Sequence, residues 1–268
     1  MRRHLRRLSR ALRLAVWLAA AWLEVGLAQW RGRRVSPARR QRAYRRLARI
    51  LALRISLHGT CPPAPTLLVA NHISWLDVIA IGACSPTSFI AKADVRGWPV
   101  LGRMASHLDT LFLRREVQRD AAHAVFQAGS RLGQGHTLTL FPEGTTTRGE
   151  RLAPFRAALL HAAVIAEVPL TPVALRYLDG RGERDRLAPF VDDDSLLPHL
   201  WQLLGRERTH VEVAFLPAIR VAHRKQAAGA AHQAIADWLS GAPRQPWPVP
   251  AWRRWASARR AGSRAARG

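Results

Sequence analysis

Lysine and cysteine are scarce in this chain of 268 residues. The first scarcity bears on the source of its positive charge, and the second on disulfides and zinc sites. The two cysteines, Cys61 and Cys84, lie far apart in the sequence and form no Cys-x-x-Cys pair. They therefore indicate neither a disulfide framework nor a zinc site, and they fit a reducing compartment. Only Lys92 and Lys225 are lysines among 42 basic residues, so arginine carries the charge. A compositional bias of the source is an alternative explanation for part of that excess.

The N-terminal region lacks an uninterrupted apolar run of membrane-spanning length. Residues 12–30 are largely apolar, but Arg13, Glu24 and Gln29 interrupt them. The clear stretch, residues 14–23, is about half of the roughly 20 residues that a spanning helix needs. No small-residue cleavage site of a signal peptide is evident. Tryptophans and flanking arginines favour a helix that lies in the membrane interface, and a true span and a soluble core helix remain alternatives.

Acidic residues are few, and their distribution explains the net charge of +24. Residues 1–54 contain sixteen arginines and one acidic residue, and residues 241–268 contain seven arginines and no acidic residue. Residues 55–240 contain 19 basic and 17 acidic residues and are nearly neutral. Positive charge concentrated in flanking segments suits contact with an anionic surface, either lipid or nucleic acid.

The middle of the chain predicts alternating strands and helices, which is typical of an α/β fold with a mostly buried sheet. No internal repeat is evident. An amphipathic, arginine-rich helix is predicted before this region, at residues 37–57. Short apolar runs predict strands at 66–70, 88–91, 110–113, 136–141, 170–177 and 211–215, and the intervening patterns predict helices ending near residue 83 and at 118–132, 154–166 and 226–239.

Three regions follow from these patterns. Residues 1–57 are expected to form basic membrane-anchoring helices, and the proline-rich segment 61–65 marks the boundary with a folded domain at 58–240. Residues 241–268 are rich in arginine, proline and tryptophan and predict a poorly ordered tail, unless they lie on a membrane.

A first group of chemically capable residues follows the first predicted strand, where residues 71–77 read NHISWLD. A neutral imidazole can take a proton from a hydroxyl, and a carboxylate on its other ring nitrogen fixes the tautomer. Five positions in one regular helix separate side chains by about 140°. His72 is therefore expected in the loop and Asp77 in the first turn of the next helix. Ser74 and Asp77 also fit a capping box, which is an alternative without catalysis.

The spacing alone is weak evidence, because His232 and Asp237 repeat it inside an alanine-rich helical segment. A second group, FPEGTTTRG at residues 141–149, also follows a strand. Glycine there lets a backbone approach a ligand, and the hydroxyl and N–H groups can bind phosphate or glycerol oxygens. A proline–glycine turn capped by threonine is the simpler interpretation of this block taken alone.

Together the two blocks resemble the signature motifs of the glycerolipid acyltransferase family. This family includes bacterial 1-acyl-sn-glycerol-3-phosphate acyltransferases and lyso-ornithine-lipid acyltransferases. Weaker blocks fall in the family order at residues 98–102, 112–115 and 168–173, and the resemblance extends over residues 58–240. Arg115 matches the family arginine, whereas Arg114 stands where many members carry an acidic residue.

The resemblance implies a single acyltransferase domain with a central mixed, mostly buried sheet flanked by helices, plus N-terminal membrane-associated helices. His72 would be the general base and Asp77 its partner. Acceptor binding would involve Arg115, Glu143, Gly144, Thr145 and, more weakly, Lys92. Because like charges repel, Glu143 is expected to orient Arg115, Lys92 or a hydroxyl rather than to contact phosphate.

The expected reaction is direct acyl transfer from acyl-CoA or acyl-carrier protein, without a cofactor or metal. No G-x-S-x-G elbow is present, which argues against an acyl-enzyme. Lysophosphatidic acid is the first acceptor candidate, and lyso-ornithine lipid is the alternative. The expected place is the cytoplasmic face of a bacterial inner membrane, bound peripherally or monotopically, with an anionic membrane as partner and no nucleic acid. A non-enzymatic protein that binds anionic lipid or nucleic acid is the rival class.

Overall fold

The computed structural model describes residues 1–32, 35–93, 102, 105, 109–113, 118–191, 194–220 and 222–241. Its strands are β1 (Leu53–His58), β2 (Leu67–Ala70), β3 (Ser88–Lys92), β4 (Leu111–Leu113), β5 (Leu138–Leu140), β6 (Leu170–Leu178) and β7 (Thr209–Phe215). Its helices are α1 (Arg2–Trp30), α2 (Pro37–Ile50), α3 (Leu76–Cys84), α4 (Gln118–Gly133), α5 (His161–Ile165), α6 (Leu196–Gly205) and α7 (Arg224–Gly241), with a 3-10 turn at Ala158–Leu160.

The seven strands form one sheet in the order β1-β7-β6-β2-β5-β3-β4. Neighbouring strands are parallel except for β6 and β7, which are antiparallel. The predicted mixed sheet is therefore confirmed. Because β2, β3, β4, β5 and β6 run in the same direction, their carboxyl ends lie at one edge of the sheet. Ligands of open α/β sheets bind at this edge.

The alternation of side chains along β2 divides the core into two layers, because successive residues of a strand point to opposite faces. Leu68 and Ala70 pack in the layer that contains α2 and α3. Leu67 and Val69 pack in the layer that contains α4, α5 and α7. All four side chains are fully buried. This explains why the sequence of β2 is a continuous apolar run, and each large side chain contributes about 1.5–3 kcal/mol by burial.

Four elements differ from the sequence-based predictions. The predicted helix at 37–57 is too long, because α2 ends at Ile50 and Ala52 adopts a positive φ of 51° that a helix cannot continue. The following residues form β1, which pairs with β7 across the predicted domain boundary at 57 and 58. Helix α6 was not predicted, and the predicted helix at 154–166 is reduced to the 3-10 turn and α5. The predicted tail beyond residue 241 lies outside the described residues.

Helix α1 packs against α6 through its arginines. Arg10 donates hydrogen bonds to the carbonyls of Leu204, Arg206 and Glu207, where α6 ends. Leu204 is in the last turn, whose carbonyls a helix leaves unpaired, and a cation is favourable at this negative end of the helix dipole. Arg7 lies over the Trp201 ring, 5.5 Å from its centroid.

Helix α1 also presents apolar side chains to solvent. Among the described helices, it is the one long and apolar enough to cross a membrane, over Arg2–Ala28, with a mean hydropathy of 1.6 in an 18-residue stretch. Leu5, Leu8, Leu12 and Val16 follow one another at spacings of three or four residues. This spacing places them on one side of the helix, away from the arginines that contact α6. The large exposed apolar residues of α1 are Leu5, Leu8, Leu12, Val16, Leu23, Leu27 and Trp30.

Candidate active site

The loop after β2 brings His72 and Asp77 into direct contact. His72 lies in the loop, and Asp77 lies in the first turn of α3, as predicted from the spacing. The His72 Nδ1 and Asp77 Oδ2 atoms are 2.7 Å apart. The Asp77 side chain is completely buried, whereas that of His72 is 19% exposed. The pair therefore has a buried carboxylate and an accessible imidazole.

Asp77 is held by three further donors. Its Oδ2 accepts hydrogen bonds from the backbone N–H groups of Ile73 (2.7 Å) and Ser74 (2.9 Å). Its Oδ1 accepts one from the Tyr177 hydroxyl (2.7 Å), which comes from β6. Burial and the Asp77 charge raise the pKa of Tyr177 well above its ordinary value, so the phenol stays protonated as a donor. Hydrogen bonds of this kind favour a carboxylate.

The capping-box alternative accounts for only part of this arrangement. Asp77 does accept a hydrogen bond from the Ser74 N–H, as the box requires. The Ser74 hydroxyl, however, is buried and has no hydrogen-bond partner among the described residues. The same Asp77 oxygen also binds the His72 ring, which a capping box does not involve.

Asn71 fixes the start of the loop to β6. Its side-chain amide donates to the Leu175 carbonyl (3.0 Å), and its side-chain oxygen accepts from the Leu175 N–H (2.7 Å). The last register pair of β2 and β6 is Ala70 with Val173. The Asn71 side chain thus continues the ladder by one step in place of a backbone, which explains a polar residue at the end of a buried strand.

Two further contacts position His72, one to its ring and one to its backbone carbonyl. Its ring stacks on Phe141 at a centroid distance of 3.9 Å and an interplanar angle of 16°. Its carbonyl accepts a hydrogen bond from the Thr147 N–H (2.8 Å). With Nδ1 bound to Asp77, Nε2 has no hydrogen-bond partner among the described residues. A proton acceptor is therefore available at the carboxyl edge of the sheet.

In the contacts that the structure describes, both carboxylate oxygens of Glu143 accept hydrogen bonds from backbone N–H groups. Its Oε1 accepts from the His72 N–H (2.7 Å), and its Oε2 accepts from the Ala153 N–H (2.9 Å). The residue is only 4% exposed. Burial raises its pKa, and the two amide hydrogen bonds partly oppose that effect. Glu143 thus ties the second sequence block to the loop that carries His72.

The other predicted acceptor residues follow strands at the same edge. Gly144 has a positive φ of 80°, a conformation that favours glycine, and Thr145 next to it is exposed. Lys92 is the last residue of β3, but its side chain lies outside the described residues, as does Arg115. The strand order places β3 and β4 beyond β5, on one side of His72.

Comparison with known proteins identifies the family. The family model described as Acyltransferase matches residues 54–176. A lyso-ornithine lipid O-acyltransferase from Pseudomonas aeruginosa is 38% identical over 247 residues, which cover 88% of this chain and 95% of that protein. The chain belongs to the glycerolipid acyltransferase family. A 1-acyl-sn-glycerol-3-phosphate acyltransferase from Neisseria meningitidis is 37% identical over 217 residues, covering 78% of this chain and 83% of that relative.

A solved structure supports the fold of this acyltransferase. The crystal structure of the 1-acyl-sn-glycerophosphate (LPA) acyltransferase from Thermotoga maritima matches with a TM-score of 0.65. The match covers 93% of this chain and all of that chain, at 18% sequence identity. At this identity the likeness concerns the fold.

Sequence reasoning missed three residues that hold the acyltransferase site together. Tyr177 binds the carboxylate, Thr147 binds the His72 carbonyl, and the Phe190 N–H donates to the Ile73 carbonyl (3.0 Å). The run of threonines was noticed, but the partner of Thr147 depends on how two loops meet. No local signal identifies Tyr177, because it appears in sequence as one more large residue of a strand.

Proposed function

We propose that this acyltransferase moves a fatty acyl group from a thioester donor to the free hydroxyl of a lyso-lipid, with His72 as general base. The observation that carries the proposal is the 2.7 Å contact between His72 Nδ1 and the buried carboxylate of Asp77, which leaves Nε2 open. A carboxylate in this position holds the neutral tautomer and stabilises the imidazolium once it forms.

The reaction is a direct transfer. His72 Nε2 takes the proton of the acceptor hydroxyl while the hydroxyl oxygen attacks the thioester carbonyl carbon. The carbon–sulfur bond then breaks, and the thiolate leaves and takes the proton from His72. Burial raises the pKa of Cys84 to about 12, so this thiol is a poor nucleophile. This supports a mechanism without an acyl-cysteine intermediate.

Lysophosphatidic acid is the acceptor that we propose first. Lyso-ornithine lipid offers an ammonium group, which an outward-facing carboxylate would bind. Within the described part of the site, both acidic side chains, Asp77 and Glu143, are buried and bonded to protein donors. This favours an anionic head group, which Arg115 and Lys92 would contact. The second candidate is lyso-ornithine lipid, favoured by the 95% coverage of the Pseudomonas relative.

The membrane interface is the proposed place of α1. Its exposed leucines would insert among lipids, and its flanking arginines would contact anionic head groups. Replacing Leu8, Leu12 and Val16 by serine should lower recovery with anionic vesicles in flotation without lowering acyl transfer in detergent. Equal flotation of this variant and the wild type would contradict an inserted α1.

The test of the reaction offers labelled acyl-CoA and acyl-carrier protein with each acceptor to the wild type, His72→Ala and His232→Ala. Lysophosphatidic acid should yield phosphatidic acid with the wild type and His232→Ala but not with His72→Ala. Product from lyso-ornithine lipid alone would move the protein to the second candidate. A folded His72→Ala protein with near wild-type turnover would refute the proposed base.

A further inference from the structure

A cavity of about 280 Å³ opens beside the loop that carries His72. Asn71 and Ile73, the neighbours of His72, line it together with residues 147–152. The carboxyl end of β6, the segment around Asp185 and the end of α7 close its other sides. It therefore lies at the ligand-binding edge of the sheet, between β2 and β6.

Arginine dominates the lining of this cavity. Arg148, Arg151, Arg176 and Arg184 all contribute to it. Arg176 is bonded to Glu212, with Nε 2.8 Å from Oε2. Arg184 lies 3.4 Å from Glu150, but both side chains are at least half exposed, so this pair is weak.

Two of these arginines have no acidic partner in the part of the chain that the structure describes. Arg148 and Arg151 form no hydrogen bond or ion pair among the described residues. The remaining carboxylate of the lining, Asp185, is buried and bonded to Arg206, with Nη1 3.0 Å from Oδ1. The cavity therefore has an excess of positive charge, and planar guanidinium groups suit phosphate oxygens.

Direct transfer requires the acyl donor and the acceptor to be bound at His72 at the same time. His72 follows β2, so one substrate can approach from the side of β6 and the other from the side of β5 and β3. Lys92 is the last residue of β3, and Arg115 follows β4 in the sequence. Both strands lie beyond β5, on the side of β2 that is away from β6. The arginine-lined cavity lies on the opposite side, against β6. If the acceptor head group binds on the side of β3 and β4, this cavity is available to the acyl donor.

We propose that the arginine-lined cavity binds the phosphate of a phosphopantetheine-bearing acyl donor, with Arg148 and Arg151 as its principal contacts. This inference rests on the proposed acyl transfer. Both CoA and acyl-carrier protein carry the thioester on a phosphopantetheine arm, so the same cavity serves either source. Because Asn71 and Ile73 line the cavity, an arm whose phosphate binds there can extend toward the His72 imidazole.

The test compares donors with and without the phosphate. The double variant Arg148→Gln/Arg151→Gln should raise the KM for acyl-CoA at least tenfold, since charge-assisted bonds to phosphate are lost. The KM for the acceptor and kcat at saturating donor should change less than threefold. With acyl-pantetheine, which lacks the phosphate, the variant and the wild type should have equal KM values, because the lost contacts have no partner. Arg186→Gln, an exposed arginine outside the lining, is the matched control and should resemble the wild type.

The outcomes separate this proposal from the reaction itself. No product from the wild type with any donor would refute the proposed function, whereas an active double variant with an unchanged KM for acyl-CoA would refute only the cavity's role. An equal loss with acyl-pantetheine and acyl-CoA would also refute it, because the arginines would then act on the fold. An effect with acyl-CoA but not with acyl-carrier protein would assign the cavity to CoA, and the reverse would assign it to the carrier protein.

Discussion

His72 and Asp77 have the same sequence separation as His232 and Asp237, but the backbone between the two residues differs. The first pair joins a loop to the first turn of α3, and its side chains bond at 2.7 Å. The second pair lies wholly within α7. Asp237 accepts a hydrogen bond from Gln233, four positions earlier (2.7 Å), and His232 packs its ring edge-to-face on Phe155.

The difference shows that a His-x4-Asp spacing acquires chemical meaning only from the backbone that separates its ends. In a regular helix five positions place side chains about 140° apart around the axis. A loop before the helix removes that constraint, and it occurs here because His72 follows directly after β2. Burial differs as well, because Asp77 is inaccessible and Asp237 is exposed.

The largest expected effect is that of removing the first histidine and keeping the second. His72→Ala should lower kcat by about 10³-fold, within the range that general base catalysis contributes. His232→Ala should change kcat less than twofold. Steady-state acyl transfer by both variants, with circular dichroism to confirm folding, provides the comparison. Comparable losses in both variants would erase the distinction between the pairs.

Replacing the two aspartates gives the next largest expected effect. Asp77→Asn should lower kcat by about 10²-fold, because an amide neither fixes the tautomer nor stabilises the imidazolium. It should also lower Tm by several degrees, since the amide cannot accept from every donor that surrounds the carboxylate. Asp237→Asn, at an exposed position, should leave both quantities unchanged. Thermal melts and initial rates measure the two effects separately.

Glu143→Gln should have a smaller effect on kcat, about tenfold. The amide can accept from only one of the two backbone N–H groups, and its own NH2 faces the other. The loop that carries His72 should then lose its fixed position, with a loss of stability of about 1–3 kcal/mol. Denaturant unfolding and kcat test this, and an unaffected kcat would mean that Phe141 and Thr147 alone position His72.

Tyr177→Phe should have the smallest effect of the series. It removes one hydrogen bond to Asp77 and leaves the ring in the core, at a cost of about 1 kcal/mol in stability. We expect kcat to fall about threefold, because Asp77 keeps its contact with His72. A loss as large as that of Asp77→Asn would instead show that the phenol determines the charge of the carboxylate.

Local sequence predicted the parts of the site that local geometry determines. The strand, the loop and the first turn of α3 follow from an apolar run and a polar segment, which placed His72 and Asp77 correctly. The partners of Asn71 and Asp77 could not be predicted, because Leu175 and Tyr177 come from a strand about 100 residues further along the chain. Their contacts depend on the pairing of β2 with β6, which no local pattern specifies.

Strand β1 and helix α6 were not predicted, although each has a local signal in the sequence. Residues 53–58 alternate apolar and polar side chains with the period of a half-buried strand, which is the pattern of β1. Leu47, Ile50 and Leu51 before them have helical spacing, and extending that period hid the change. Helix α6 contains Pro198 in its first turn, where proline is tolerated. Its leucines at helical spacing were therefore a usable signal.

The dependence of the His72 loop on β6 has a consequence for the order in which the chain folds during synthesis. Asn71 and Asp77 are made about 100 residues before their partners on β6. Contacts of such long separation form late, after the loop-closure entropy has been overcome. A nascent chain therefore exposes α1 before it can assemble the His72–Asp77 pair. With the role proposed for α1, attachment to a membrane can precede the first turnover, and activity reports that the chain has folded through to β6.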